Sequence, residues 1–388
     1  MSIPLTYNLR NLTVRKTTTL MTALGIALTV AVLLAVLSLV NGLKATLSTS
    51  GDPLHIMVMR KGSTSEIASN FQRTQFQDLK FKPGIAQGRN GQPLAALELV
   101  TVISLSSIDN PEAGTNVTVR GVEPAGIEMR RGLKLSAGRW FDQGRRELVV
   151  GSAIAKRYPD ARLGNKLNLW RGQWEIVGVM DSHRGMPDSE IWGPLNQVAG
   201  DNQRTSVLSS ALVEAPDAVT AKALINDLTG DQRLGVDAIS EQEYYNAQVS
   251  QGAAIQYVGM FVAIVMAVGS SFAAMNTMYA AVARRAREIG TLRVLGFSRG
   301  SILLSFFVES VLLAGVGGVL GCLLVAPLNG ITTAVGSTNF SEMAFDFHVT
   351  AKTMLTGVIF AAALGCVGGL FPARNAANKE ILTALREV

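Results

Sequence analysis

The stretch that decides the fold is residues 17–43, TTTLMTALGIALTVAVLLAVLSLVNGL, which contains no charged residue. At about 1.5 Å of rise per residue, a helix of this length exceeds the roughly 30 Å hydrocarbon core of a bilayer. A cleaved signal peptide would have a shorter apolar region that ends at small residues of the A-x-A type, whereas residues 30–40 are interrupted only by Ser38. Residues 17–43 therefore predict a retained first transmembrane helix.

Three further apolar runs follow in the second half of the chain. Residues 253–283 carry no charge, residues 301–328 carry only Glu309, and residues 353–371 form a run that we expect to stop at Pro372. The chain is 48% hydrophobic and 16% charged, which is too apolar for an ordinary soluble protein and too polar for membrane helices alone. The sequence predicts an integral membrane α-helical protein with four transmembrane helices.

Basic residues are concentrated in the short segments on one side of these helices. They lie before the first helix, between the second and third, and after the fourth, at Arg10, Arg15, Lys16, Arg284, Arg285, Arg287, Arg293, Arg299, Arg374, Lys379 and Arg386. The loop over residues 329–352 has Lys352 as its single basic residue. The positive-inside rule therefore predicts that both termini are cytoplasmic and that this loop is extracytoplasmic.

The ends of the chain and its charge fit this topology. Leu5, Leu9 and Leu12 recur at helical spacing, which predicts a cytoplasmic amphipathic elbow over residues 1–16. Residues 372–388 are predicted to form a cytoplasmic tail. The net charge of +6 comes from segments beside apolar spans, so we predict a lipid membrane and no nucleic acid as a partner.

Residues 44–252 separate the first two helices and are predicted to form an extracytoplasmic domain. Strand-like runs cover residues 54–59, 99–106, 116–122, 147–150, 166–170 and 174–179, and helical stretches cover residues 152–157 and 218–228. This mixture predicts an α+β domain inserted between helices 1 and 2. The tryptophans all lie in it, and we expect core or surface packing rather than a ligand cage at Trp140, Trp170, Trp174 and Trp192.

The sequence carries no pattern that indicates chemistry of its own. It has no GxxxxGK[ST] phosphate loop, no GxSxG elbow and no HExxH zinc pair. Cys322 and Cys366 lie in apolar spans, and we expect His55, His183 and His348 to be solvated or singly hydrogen-bonded. We predict a chain that is not an enzyme, has no catalytic residue and binds no metal or cofactor itself, which suits transport or signalling.

Two features inside the spans allow more than one interpretation. Glu309 is a candidate for an intramembrane function, but it lies near the cytoplasmic end, so we favour snorkelling or pairing with an arginine of the preceding loop. Small residues at GxxxG spacing let helix backbones approach closely, and the candidates are Gly317, Gly321, Gly365 and Gly369. We expect these glycines to serve packing, within the bundle or across a dimer.

Residues 284–300 connect the second and third helices. Within them Ile289, Leu292 and Leu295 recur at helical spacing among arginines, and Gly296 follows as a natural helix stop. This pattern predicts a short amphipathic helix that faces the cytoplasm. Such a helix can rest on anionic lipid or bind in the groove of a partner protein.

This connecting segment resembles one in a known family, the MacB/FtsX-type or type VII (mechanotransmission) ABC transporter permeases. Its residues Arg287-Glu288-Ile289-Gly290-Thr291-Leu292-Arg293-Val294-Leu295-Gly296 are similar to the family's REIGxLRAxG motif. Asn276 and Glu309 also fall at family positions, and residues 371–386 resemble PAxxAAxxxPxxALR, with Ile381 where the family usually has proline. In the inserted domain, residues 119–122, 135–140 and 174–179 are similar to the family's periplasmic domain.

The resemblance implies a permease of the bacterial inner membrane that works with other subunits. It would form a homodimer or a paired heterodimer, bound to two copies of a separate ABC ATPase that carries ATP and Mg²⁺. In Gram-negative envelopes a periplasmic adaptor often joins such permeases. Residues 284–300 would be the coupling helix region, with ATPase coupling by Arg287, Glu288, Ile289, Gly290, Leu292, Arg293, Leu295 and Gly296.

The function we expect from this resemblance is ATP-driven export or extraction of an amphiphilic envelope substrate, such as a drug, lipid, lipoprotein or peptide. The alternative is a non-transporting regulator of a periplasmic hydrolase, or a sensor. A co-purified adaptor would favour export and a co-purified cell-wall hydrolase would favour regulation. Secondary transport has only Glu309 in its support. We expect Leu292→Asp to uncouple the partner ATPase.

Overall fold

A computed structural model describes residues 16–108, 114–183, 185–251, 253–336 and 342–378. The chain divides into two compact units. We call Met1–Asn41, Ala253–Ile331 and Phe347–Val388 the helical unit, and Gly42–Gly252 with Thr332–Asp346 the sheet domain. The predicted elbow up to residue 15, and the tail from residue 379 onward with Ile381 and Arg386, lie outside the described residues.

The described α-helices include four that are long and apolar enough to cross a membrane. In chain order the helices are α1 (Lys16–Ser50), α2 (Arg73–Leu79), α3 (Pro124–Met129), α4 (Ser152–Arg157), α5 (Leu195–Asp201), α6 (Ala218–Gly230), α7 (Glu241–Gln251), α8 (Ala253–Arg284), α9 (Ala286–Val294), α10 (Arg299–Val325) and α11 (Ala351–Asn378). Short 3₁₀ turns occur at Pro159–Ala161, Met186–Ser189 and Ala326–Leu328. The candidate spans are Thr19–Leu47, Tyr257–Arg284, Arg299–Leu328 and Ala351–Asn378.

The first apolar helix is longer than the predicted range 17–43. Helix α1 continues to Ser50, and its last turns belong to the sheet domain. There Leu47 is fully buried in a cluster with Met57 and Tyr244. Burial of this apolar side chain explains why the helix does not end where the apolar run ends.

The prediction that the fourth apolar helix stops at Pro372 is wrong. Helix α11 contains Pro372 and continues to Asn378. A proline inside a helix removes one backbone hydrogen bond and costs about 3 kcal/mol. Here the next turns are held by packing, because Ala373 and Ala376 are fully buried against side chains of α8, α9 and α10. Tertiary contacts therefore outweigh the local stop signal.

The sheet domain is an α+β domain built on a ten-stranded mixed sheet. Its strands in chain order, with those of two small sheets, are β1 (His55–Arg60), β2 (Phe71–Gln72), β3 (Ala95–Ser106), β4 (Gly114–Val122), β5 (Lys134–Gly138), β6 (Glu147–Gly151), β7 (Lys166–Leu169), β8 (Gly172–Asp181), β9 (Glu190–Pro194), β10 (Val207–Leu208), β11 (Ser210–Glu214), β12 (Val236–Ser240), β13 (Thr332–Gly336) and β14 (Glu342–Asp346). The order in the large sheet is β12-β1-β11-β3-β4-β9-β6-β8-β5, with β7 on β8. Its pairs are antiparallel except β4 with β9 and β6 with β8.

The sequence patterns predicted part of this sheet. The six predicted strand runs correspond to β1, β3, β4, β6, β7 and β8, and the two predicted helical stretches correspond to α4 and α6. The runs that were missed are mostly short and include β5, β9, β11 and β12. Within the predicted loop 329–352, β13 and β14 form a hairpin that belongs to the sheet domain.

The core of the sheet domain contains the aromatic residues that the sequence assigned to packing. Trp174 and Trp192 are fully buried, and Trp140 and Trp170 are half-buried. Trp170 packs edge-on against Trp174, with ring centroids 5.4 Å apart. The structure thus shows the packing that the sequence predicted for the tryptophans.

Candidate coupling site

The turn between α8 and α9 carries a buried ion pair. Arg285 is the single residue between the two helices, with φ −105° and ψ 16°. Its guanidinium donates hydrogen bonds of 2.8 and 3.0 Å to the two carboxylate oxygens of Glu309 on α10. The side chains are only 3% and 7% exposed. Of the interpretations considered for Glu309, the structure therefore shows pairing with an arginine of the preceding segment.

An aromatic ring completes this pair. The guanidinium carbon of Arg285 lies 5.8 Å from the ring centroid of Phe306, one helical turn before Glu309. A guanidinium is planar and weakly hydrated, so it can bind a carboxylate edge-on and stack on a ring at the same time. The arrangement fixes the start of α9 to α10.

Apolar contacts hold α9 against the other helices. Ile289 is fully buried in one cluster with side chains of α8, α10 and α11, namely Met278, Val282, Ile302, Phe306, Ala373 and Ala376. Gly290 is also buried. These two predicted coupling residues thus face the helical unit itself.

The other predicted coupling residues lie on the opposite side or at the end of α9. Arg287, Glu288 and Gly296 are exposed, whereas Leu292 and Arg293 are half-buried. Leu295 is 64% exposed, beside Val294 at 63%. Within the predicted stripe, Ile289 is therefore a buried anchor, whereas Leu295 is exposed. We call Val294 and Leu295 the apolar tip of α9.

The end of α9 has a well-defined cap. Gly296 adopts a positive φ of 92°. Its amide donates to the Arg293 carbonyl, and the Phe297 amide donates to the Leu292 carbonyl, which is the Schellman pattern. Ser298 then accepts a hydrogen bond from the Ser301 amide as the N-cap of α10. Two successive caps therefore set the direction in which the apolar tip points.

The four glycines at GxxxG spacing lie against helices of the same chain. A Cβ atom on Gly317 would be 2.9 Å from the Ala23 carbonyl oxygen, and one on Gly321 would be 2.8 Å from that of Ala27, both on α1. Gly365 and Gly369 lie against α10, where the Ser310 hydroxyl donates to the Gly365 carbonyl at 3.0 Å. Packing within the bundle accounts for all four positions, and packing across a dimer stays a prediction.

A second group of buried charges, which the sequence did not predict, lies in the sheet domain. Arg120 on β4 donates to three buried glutamates, Glu66, Glu98 and Glu190, over distances of 2.6 to 3.0 Å. Trp192 also donates to Glu190, at 2.7 Å. The sequence signal that could have predicted these buried charges is a charged residue inside an apolar strand. It occurs in ALELV for Glu98 and in VTVRGV for Arg120.

The charged group continues towards α7. Arg130 donates to Glu98 at 2.5 and 3.1 Å, and its guanidinium lies 3.6 Å from Glu241. Nδ1 of His55 is 2.8 Å from Glu241. His55 is thus buried and bonded to a carboxylate, so the solvated alternative considered for it is wrong. We call Glu66, Glu98, Arg120, Glu190, Arg130, Glu241 and His55, with Arg131 and Glu214, the charged network.

Burial and the charges of the network shift the pKa values of Glu98 and of the neighbouring Tyr245. Burial raises the pKa of Glu98, but the charges of Arg130 and Arg120 outweigh it and lower that pKa to about 2. Burial and nearby glutamates raise the pKa of the Tyr245 phenol. Glu98 is therefore an anion at neutral pH in spite of its burial.

Two protein-family models match the sequence of this chain. The family model for the MacB-like periplasmic core domain matches residues 19–230, more than half of the chain. This protein belongs to the MacB/FtsX-type ABC transporter permeases. A second family model, the FtsX-like permease C-terminal region, matches residues 260–381, which include α9 and the Arg285–Glu309 pair. Permeases of this family work with an ABC ATPase.

Several relatives of this MacB/FtsX-type permease match most of its length. YknZ of Bacillus subtilis, described as an uncharacterized ABC transporter permease, is 26% identical over 370 residues, which cover 89% of this chain and 87% of YknZ. The macrolide export ATP-binding/permease proteins MacB of Rhodopseudomonas palustris and Campylobacter jejuni are 27% and 24% identical, over 74% and 85% of this chain. The chain spans about half the length of these two MacB proteins, 45% and 56%.

Two solved structures are also similar to part of this chain. The periplasmic region of MacB from Actinobacillus actinomycetemcomitans has a TM-score of 0.38 and 15% identity, over 53% of this chain and 96% of that chain. The extracellular domain of YknZ from Gram-positive bacteria has a TM-score of 0.36 and 17% identity, over 48% of this chain and 100% of that one.

Proposed function

We propose that this permease couples ATP hydrolysis by a separate ATPase to movement of its sheet domain, and so exports or extracts an amphiphilic envelope substrate. The observation that carries the proposal is the fixed geometry of α9. Its start is bound to α10 through Arg285 and Glu309, while its end presents Leu295 to the surroundings. The helix is thus both anchored and available for docking.

The anchoring side of α9 suits the transmission of force. A bidentate guanidinium–carboxylate pair keeps both the distance and the orientation of its partners, and a buried pair is screened less than an exposed one. Ile289 adds an apolar anchor among the other helices. A displacement of α9 would therefore move α8, α10 and α11 with it instead of bending the connection.

The docking side of α9 combines an apolar tip with positive charge. Val294 and Leu295 are more than half exposed, and Arg287 is exposed on the preceding turns. Such a surface suits a partner groove with an apolar floor and an acidic rim, in the helix-in-groove mode of recognition. ATP and Mg²⁺ would be bound on that partner, since the sequence contains no phosphate loop.

The assembly we propose follows the family resemblance. Two permease chains would bind two ATPase subunits in the bacterial inner membrane, with a periplasmic adaptor in a Gram-negative envelope. The basic residues around α9 support a cytoplasmic position for this segment and for both termini. Export is supported by the MacB relatives, which are named for macrolide export.

The test is ATP hydrolysis by the complex of this chain with the ATPase that co-purifies in mild detergent, reconstituted in nanodiscs. Leu295→Asp places a charge in the proposed apolar contact. We expect at least a tenfold loss of permease-stimulated hydrolysis, about 1.4 kcal/mol or more of lost association. The matched control is Leu163→Asp in the sheet domain, where Leu163 is 44% exposed. Equal stimulation by wild type and Leu295→Asp would contradict the proposal.

A further inference from the structure

His55 lies between two glutamates because of the order of the strands in the sheet domain. On β1, the Cα atom of His55 pairs with that of Glu214 on β11, so both side chains project from the same face of the sheet. On the other side of β1, Ile56 pairs with Ser240, the last residue of β12. Glu241 follows directly as the first residue of α7. The imidazole therefore has one carboxylate from β11 and another from α7 beside it.

The two carboxylates differ in their distance from the imidazole. Nδ1 of His55 lies 2.8 Å from Oε2 of Glu241, which is a hydrogen bond, whereas Nε2 lies 3.8 Å from Oε2 of Glu214. All three side chains are buried. Among the described residues, no group donates a hydrogen bond to this oxygen of Glu214. An anionic oxygen that is buried without a donor is unfavourable.

The number of protons on the imidazole decides how many of these contacts can be hydrogen bonds. A neutral imidazole has one N–H, so it can donate to Glu241 or to Glu214 but not to both. With that proton on Nδ1, the lone pair of Nε2 faces the buried oxygen of Glu214 and repels it. A protonated imidazole donates from both nitrogens, and a shift of about 1 Å would bring Nε2 within hydrogen-bond distance of Glu214.

The other charged groups around the imidazole have partners elsewhere. Arg131, from the segment after α3, donates to the opposite oxygen of Glu214, Oε1, and its side chain is exposed. Arg130, from the same segment, donates to Glu98 and lies 3.6 Å from the α7 carboxylate. The carboxylate of Asp52 accepts a hydrogen bond from a backbone amide two residues further on. In the part of the chain that the structure describes, the imidazole is therefore the group placed to donate to Oε2 of Glu214.

The imidazole can exchange protons with solvent although it is buried. His55 lines a cavity of about 310 Å³ together with Asp52, Arg130 and Glu241, and a polar cavity of this size can hold water. The phenol of Tyr245 on α7 interacts with Glu241 but stays neutral, because burial raises its pKa. Histidine is the side chain that ordinarily changes its charge between pH 5 and 8. A change of pH in this range can therefore act on the imidazole without unfolding the domain.

Glu241 also holds the start of α7 to the segment before β1. Its Oε2 accepts a hydrogen bond of 3.3 Å from the Asp52 amide. A Cβ atom on Gly51 would lie 2.5 Å from Cα of Gln242, so the two backbones are in direct contact there. In the chain, α1 precedes this segment and α8 follows α7. The bond between His55 and Glu241 therefore joins the two segments through which the sheet domain continues in sequence into apolar helices.

We propose that His55, Glu214 and Glu241 form a proton-dependent switch, which we call the His55 switch. In its protonated form the imidazole donates to both glutamates and fixes the start of α7 to β1 and β11. When the proton is lost, Glu214 has no donor for Oε2, and the bond to Glu241 loses the strength that a charged donor gives it. The bound proton thus stabilises the start of α7, and this stabilisation is lost as the pH rises.

The test is hydrogen–deuterium exchange of the full chain in phosphatidylcholine nanodiscs at pH 6 and pH 8, with each rate divided by the intrinsic rate at that pH. We expect the α7 amides to be roughly tenfold more protected at pH 6 than at pH 8. Strand β8, which five strands separate from β1, should be equally protected at both pH values. Equal protection of α7 at both pH values, or higher protection at pH 8, would overturn the proposal.

Two variants assign the pH dependence to the His55 switch. His55→Gln removes the titrating group, so α7 should be equally protected at pH 6 and pH 8. His183→Gln is the matched control, because His183 is exposed, and it should keep the full difference. Glu214→Gln should abolish the difference as well, since the amide of a glutamine can donate to a neutral Nε2 or accept from a protonated one.

The variants also define the results that contradict the switch. A roughly tenfold difference that persists in a folded His55→Gln protein, or in Glu214→Gln if the first variant does not fold, would overturn the proposal. Loss of the difference in His183→Gln would overturn it too. The measurement needs neither ATP nor an ATPase, and the switch lies within the sheet domain, so it can fail or succeed independently of the coupling role of α9.

Discussion

The guanidinium of Arg285 and the carboxylate of Glu309 form two hydrogen bonds, of 2.8 and 3.0 Å, inside the helical unit. The pair joins the α8–α9 turn to α10, two segments that are separated in the chain by the short helix α9. Lysine could not replace this arginine, because an ammonium cannot make two parallel bonds to a carboxylate. Both the stability of the helical unit and its response to the ATPase should depend on this contact.

Removing one partner of this pair should be more harmful than removing both. Glu309→Ala leaves the Arg285 charge buried without a counterion, and we expect a loss of about 3–5 kcal/mol in stability. The double variant Arg285→Met with Glu309→Leu should recover most of the thermal stability. It should still show reduced permease-stimulated ATP hydrolysis, because the hydrogen-bonded connection is absent. Full stimulation in the double variant would show that the pair has no role in coupling.

The cap at Gly296 offers a test of how precisely the apolar tip must be placed. Gly296→Ala forces a side chain into a positive φ, at a cost of about 1–2 kcal/mol. We expect reduced stimulation of the ATPase with little change in expression. Gly300→Ala is the control, because Gly300 lies in the first turn of α10 with an ordinary φ and space for a Cβ. Equal activities of the two variants would argue against a role for the cap.

Glycines on one helix should differ according to their contacts. A Cβ on Gly317 would meet the Ala23 carbonyl oxygen and the Ile26 side chain at 2.9 Å, whereas Gly315 has nothing within 4 Å. We expect Gly317→Ala to lower the unfolding temperature of the detergent-purified chain and Gly315→Ala to leave it unchanged or slightly raised. A similar unfolding temperature for both variants would indicate that α1 and α10 separate easily.

The charged network should make the sheet domain sensitive to acid. The pKa of Glu98 is lowered from 4.5 to about 2, so its contribution to stability is complete above pH 4.5 and is lost as the pH falls towards 2. Glu98→Gln should be less stable at pH 7 and should have a shallower decline in unfolding temperature below pH 4.5. Glu175→Gln is the control, and parallel declines in the Glu98 variant and wild type would exclude Glu98 as the cause.

Apolar runs and local periodicity predicted the parts of the fold that depend on neighbouring residues. The four spans were predicted because each long apolar run must be helical in lipid, and α4 was predicted with its observed bounds, Ser152–Arg157. The prediction that the fourth helix stops at Pro372 was wrong because burial of Ala373 and Ala376 stabilises the helical turns after this proline. Strand β9, EIWGP, contains glycine and proline and is stabilised by pairing with β4 and β6, partners that no local pattern indicates.

The candidate site was predictable to a similar extent. The α9 segment was recognised by its apolar spacing and its motif, and Glu309 by its charge within a span. The identity of its partner, Arg285, among several nearby arginines depends on the direction of the α8–α9 turn. The charged network joins residues from His55 to Glu241, far apart in sequence, which only the ordering of the sheet brings together.

The most direct measurement of the central claim is photo-crosslinking in membranes of the native host. A benzoylphenylalanine introduced in place of Leu295 should form an adduct that mass spectrometry identifies as this permease joined to an ABC ATPase. The same residue in place of Leu163 should form none. An ATPase adduct at Leu163 and not at Leu295, or no ATPase adduct at any exposed position of α9, would contradict the assignment of α9 as the coupling helix.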